Sequence, residues 1–113
     1  MDRDQSYLLD MLLSDRMALQ YARQVERDVF LSDTRTQDAI IRRIEIIGEA
    51  AGCVSAETRS ELSVLPWKSI VGMRNLVIHQ YPEVDVAVIW DTVHQDLPLL
   101  IALIEPLVQE PGQ

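Results

Sequence analysis

The sequence predicts an all-α fold, and three observations carry the prediction. The 113 residues include only four glycines and five prolines. No Asn-Gly or Asp-Gly turn occurs, and apolar residues recur at helical rather than alternating spacing. With 48% hydrophobic residues the composition is that of an ordinary globular chain, and the length fits one domain over 1–113 rather than two. No internal repeat, low-complexity tract or long linker marks a boundary.

The first helix is expected over about 5–30, with Leu8, Met11, Leu12, Tyr21 and Val25 on one face and Arg27 as the place where it could break. Ser32 and Asp33 supply an N-cap for the second helix, and Thr34 with Gln37 offers a capping box. Ile40, Ile44, Ile47 and Ala51 form its core stripe, and Gly48 beside that stripe points to a close approach by a neighbouring helix. Ser55 can cap a short helix ending near Leu62, and Pro66 suits the first position of the next helix, over about 66–79. That helix must stop there, because Pro82 disfavours α geometry at Tyr81. A final helix over about 83–108 turns Val86, Ile89, Trp90, Val93, Leu97, Leu100 and Ile104 inward, with a kink at Pro98. Four longer helices and one short one make an antiparallel four-helix-type bundle with one extra helix.

The apolar residues of 97–104 cover an arc of about 200°, wider than the ~100° that one core contact needs. Homodimerisation through this helix is the expectation, a central place in the monomer core the alternative. Acidic residues among the first fifteen exclude a signal-peptide core, and the longest strongly apolar run, eight residues over 97–104, is far below the ~20 that span a bilayer. A soluble protein with no membrane partner is expected. The single cysteine, Cys53, permits no intrachain disulfide and fits a reducing cytoplasm, where it reads as a small buried hydrophobe.

Eighteen acids against ten bases give a net charge of -8, so bulk charge does not attract nucleic acid. Residues 1–61 hold twelve acids and eight bases, and residues 82–113 hold six acids and no base. Between them, 62–81 carry Lys68 and Arg74 and no acid. Any attraction for phosphate is therefore local to this stretch, unless so short a run lacks acids by chance. On a helical wheel with Ile70 at 0°, Arg74 falls at about 40°, between Val77 at about 340° and Trp67 at about 60°. An arginine inside an apolar arc must meet a carboxylate, reach a subunit seam or face a cleft that receives an anion.

His79 lies about 140° from Arg74 on a regular helix, but unwinding ahead of Pro82 would let His79 and Tyr81 turn back towards it. A helix C-terminus favours the imidazolium and suits His79 to donate a proton, although such a histidine can also be only a cap. His94 has no comparable context and reads as surface or core-edge. Asn75 could orient a phosphate or His79, or simply be solvated. Glu45 and Glu49 lie opposite the stripe of the second helix, at about 140° and 180° from Ile40, as a solvated face or as partners of Arg74 across a dimer cleft. No His/Cys/Asp/Glu set has metal-ligand spacing, and no glycine-rich phosphate loop is present, so no metal or cofactor is expected.

The string R-N-L-V-I-H-Q-Y over 74–81 is an R-x4-H-x-Y pattern, and it closely resembles the signature of the HepT-like toxins of the HEPN superfamily. R-I-E-I-I-G-E-A-A over 43–51, P-W-K-S-I-V-G-M-R-N over 66–75 and V-I-W-D-T-V-H-Q-D-L-P-L-L over 88–100 also look like blocks of that family. The resemblance covers nearly the whole chain. It implies a dimerising helical bundle, with the two motifs near the two-fold axis, that cleaves RNA without metal through Arg74 and His79. It further implies a toxin-antitoxin pair in which a minimal nucleotidyltransferase neutralises the toxin by transferring AMP to the motif tyrosine, here Tyr81; Glu49 is a site-supporting residue whose role varies in the family. The chemistry agrees: metal-free cleavage needs a group that moves protons and a cation that stabilises phosphorane charge, roles open to His79 and Arg74. The competing reading is a non-catalytic helical dimer that binds nucleotide or scaffolds a nucleotidyltransferase through the same residues.

Overall fold

The computed structural model describes residues 3–78 and 85–108, and every regular element among them is helical. The first helix, α1 (Arg3–Arg23), buries Leu8, Met11, Leu12, Asp15, Ala18, Leu19 and Ala22, a stripe that repeats every three or four residues. Tyr21 and Val25, expected on the core face, are only half-buried against its edge. α1 ends at Arg23 and a separate turn, α2 (Arg27–Phe30), follows, so the helix expected over 5–30 is broken. The break lets Phe30 enter the core with no exposed surface.

α3 (Thr34–Cys53) starts at Asp33, whose carboxylate accepts the Thr36 N–H at 3.3 Å and the Thr36 hydroxyl at 2.6 Å. These donors hold the Asp33 carboxyl below its ordinary range. The capping box expected of Thr34 and Gln37 does not form. Gln37 Nε2 instead donates to the Phe30 carbonyl at 2.8 Å, tying α3 to the end of α2. The predicted stripe of Ile40, Ile44, Ile47 and Ala51 is fully buried. Cys53, expected to be buried, is exposed, because it lies two residues beyond Ala51 and off that stripe.

α4 (Ala56–Glu61) is capped as predicted by Ser55, whose hydroxyl accepts from Thr58 N–H at 3.2 Å. Asp4 of α1 secures the same turn, accepting from Ser55 N–H at 3.0 Å, the Ser55 hydroxyl at 2.6 Å and the Thr58 hydroxyl at 2.5 Å. α5 (Trp67–Ile78) begins immediately after Pro66. The last helical stretch is divided into α6 (Val86–Asp91), a π turn over Thr92–Asp96, α7 (Leu97–Ile104) and a 3-10 turn over Glu105–Leu107. The disturbance expected at Pro98 thus takes the form of a π turn just before it, where the proline leaves the preceding turn without an N–H.

α3 packs against α1 on one side and α5 on the other, while α7 and the π turn lie on α1. Ile89, Val93, Leu97, Leu100 and Ile104 are buried in the shared core, whereas Leu99 remains 66% exposed. The stretch Val86–Leu107 is by length and mean hydropathy, 1.3, long and apolar enough to cross a membrane, a property that the eight-residue apolar run does not reveal. One face of that stretch is committed to the core against α1.

Candidate active site

Within α5, Ile70 is the anchor, 1% exposed, with Trp67, Val71 and Met73 half-buried beside it. Lys68, Arg74 and Asn75 are exposed on this acid-free helix. The arginine does not lie buried in the apolar arc as the wheel implies. Its backbone does: a Cβ built on buried Gly48 of α3 would stand 2.7 Å from Arg74 Cβ, 2.9 Å from its N and 3.2 Å from its Cα. α5 therefore touches α3 through the root of Arg74, and the long stem carries the guanidinium into solvent. Among the described residues Arg74 makes no ion pair. The close approach expected at Gly48 is real, and its partner is the motif arginine.

His79 and Tyr81 lie outside the described residues, and Asn75 is the exposed neighbour of Arg74. Glu49, although next to Gly48 in sequence, is not brought onto Arg74 within the chain. It lies 4.0 Å from Arg42, which also pairs with Glu45 at 3.3 Å. It lines a hollow of 200 Å³ with Tyr7, Asp10 and Cys53. The solvated-face reading of both glutamates describes their place in the chain.

A larger apolar groove of 510 Å³ separates α5 from the last helical stretch, lined by Ser69, Ile70, Met73, Leu99, Leu100 and Leu103 among others. Met73 connects this groove to Arg74 along the helix. His94 is exposed at the rim of the fold, as expected, and its ring stacks on Trp90 at 3.9 Å while Nδ1 donates to the Trp90 carbonyl at 2.8 Å. Among the described residues no three His, Cys, Asp or Glu side chains gather into a metal-binding set.

Sequence reasoning missed Asp15. It is fully buried in the middle of the α1 stripe, and neither carboxylate oxygen has a hydrogen-bond partner. Desolvation pushes its pKa up to about 8, so it is carried mainly as the neutral acid at pH 7. The spacing Leu8, Met11, Asp15, Ala18, Ala22 was the signal that could have placed it in the core.

An exposed arginine whose backbone packs closely on α3 offers a cation to an anionic oxygen, and its planar fork suits phosphate. The surrounding net charge of -8 confines that attraction to α5.

The family model described as Ribonuclease HepT-like matches residues 11–107. A protein of Thermococcus cleftensis named as a ribonuclease HepT is 37% identical over 101 residues, 89% of this chain and 92% of its own. A Methanocaldococcus jannaschii protein named as an RNase is 32% identical over 93 residues, 82% of this chain and 85% of its own. A second protein of that organism, named as both a gamma-glutamylcyclotransferase and an RNase, is 36% identical over 92% of this chain, which spans 47% of its length. No solved structure gives a significant match.

Proposed function

The chain belongs to the HepT-like ribonuclease family, an RNA-cleaving family, and from that premise we propose that it is a metal-independent RNase toxin whose cleavage rests on Arg74 and His79. The observation that carries this reading is the exposed Arg74, without an ion-pair partner among the described residues, on the acid-free helix and seated on Gly48. In the proposed reaction the guanidinium stabilises charge on the pentavalent phosphorus. His79 moves a proton to or from the 2'-hydroxyl or the leaving oxygen, a role worth typically ~10²- to 10⁴-fold. Asn75 supports the phosphate, and Glu49 keeps a supporting role only if a second copy brings it to the site.

The active form in this proposal is a cytoplasmic homodimer of antiparallel four-helix-type bundles that places two motifs together. The groove between α5 and α7, with Leu99 exposed beside it, supports a seam there. Regulation falls to Tyr81. AMP transferred from ATP to its hydroxyl by a minimal nucleotidyltransferase, with release of pyrophosphate and of the hydroxyl proton, would add a phosphodiester beside Arg74 and His79 and compete with RNA for the guanidinium.

The test is expression in a growing bacterium. The wild type arrests growth and His79→Ala does not; co-expressed nucleotidyltransferase restores growth and adds the mass of one AMP, which Tyr81→Phe fails to acquire. Arrest by His79→Ala would overturn the catalytic assignment, and an adduct on Tyr7 or Tyr21 would overturn the regulatory one.

A further inference from the structure

We propose that Gly48 is a positioning residue for the reaction, acting through Arg74. The inference rests on the reading of Arg74 as the group that contacts phosphate. Three atoms crowd the place where a Gly48 side chain would begin, and all belong to the root of Arg74: Cβ at 2.7 Å, N at 2.9 Å and Cα at 3.2 Å. None is the far end of a flexible side chain that could swing away. Non-bonded carbons rest at about 3.5–4.0 Å, so one added methyl drives α5 from α3 by up to about 1 Å at Arg74 itself.

Among the described glycines only Gly48 is crowded in this way. Gly52, one turn later on α3, and Gly72 on α5 have nothing within 4 Å of an added Cβ. The absence of a side chain is therefore required at the point where the arginine leaves its helix. Since Arg74 is exposed, the contact fixes the origin of the side chain and leaves its guanidinium free to meet substrate. Misplacement of about 1 Å in a catalytic constellation can cost ~10²-fold in rate. Gly48 thus sets where the cation stands when charge develops on the phosphate.

The experiment is a double-mutant cycle on RNA cleavage with Gly48→Ala, Arg74→Ala and the pair, with Gly52→Ala as the control that adds the same methyl to the same helix. Gly48→Ala is expected to lower kcat by about 10- to 100-fold with KM changed by less than about 3-fold, and to cause no further loss in the Arg74→Ala background. Gly52→Ala keeps wild-type kcat. Wild-type kcat in Gly48→Ala, or losses that multiply in the pair, overturns the proposal. Should Gly48→Ala not fold, it is repeated with Asp15→Asn and Gly52→Ala added for stability; failure to fold there too means that the contact serves the fold and overturns the positioning role. Arg74→Ala with wild-type cleavage is a separate result, which removes the reading of Arg74 before Gly48 is at issue.

Discussion

The guanidinium of Arg59 lies over the ring of Trp67, 5.7 Å from its centroid, while donating to the carbonyls of Ala51 at 2.8 Å and Val54 at 3.1 Å. Trp67 in turn donates its indole N–H to the Leu62 carbonyl at 3.1 Å. One side chain thereby joins the last turn of α3 to the first residue of α5. α5 is thus tied towards α3 at its first residue, through Arg59 on Trp67, and packs closely on α3 where Arg74 meets Gly48.

Arg59→Ala should therefore destabilise the fold by roughly 1–3 kcal/mol, since it leaves two C-terminal carbonyls without their charged donor and removes the cation from the ring. Urea unfolding measures it. Arg59→Lys, which keeps charge but not the fork, should recover only part. A change within experimental error for Arg59→Ala would show that the bridge carries no stability.

Asp15 makes stability fall as pH rises. Its folded pKa, about 8, is above the unfolded value of 3.8, so between those values the unfolded chain has released a proton that the folded chain retains. Stability is then greatest below the unfolded pKa and declines as pH rises until the folded pKa is passed. Asp15→Asn should remove this component and gain on the wild type from pH 5 to pH 8, as read by thermal or urea unfolding. Parallel pH profiles for the two proteins would show that the buried carboxyl does not titrate as described.

Light scattering should give twice the chain mass, and Leu99→Glu or Leu103→Glu should shift the protein to monomer by placing a carboxylate in the groove beside α5. Cleavage should fall with the dimer. A monomeric wild type at micromolar concentration would leave each active site with the residues of one chain.

Much of this architecture was legible because burial writes itself as spacing: Ile40, Ile44, Ile47 and Ala51 predicted the face of α3 that is buried, and Ser55 predicted the cap of α4. What stayed hidden depends on the third dimension. Asp15 counts in the sequence only as one of the acids among the first fifteen residues, since charge counting ignores the stripe in which a residue stands. Arg74 looked buried because a wheel averages a residue to one direction, whereas a close helix contact buries the root of a long side chain and frees its end. Gly48 announced a close approach but not its partner. The motif string carried the family, and the arginine's seat on α3 became visible only when the two helices were placed together.

The central claim is that Arg74 and His79 cleave RNA without a metal ion, and the direct measurement is cleavage of end-labelled RNA by the purified protein in excess chelator. The account predicts wild-type cleavage undiminished by chelator and a loss of at least about 10²-fold in both Arg74→Ala and His79→Ala, with each variant folded by circular dichroism. Cleavage abolished by the chelator, or retained by either folded variant, would contradict it.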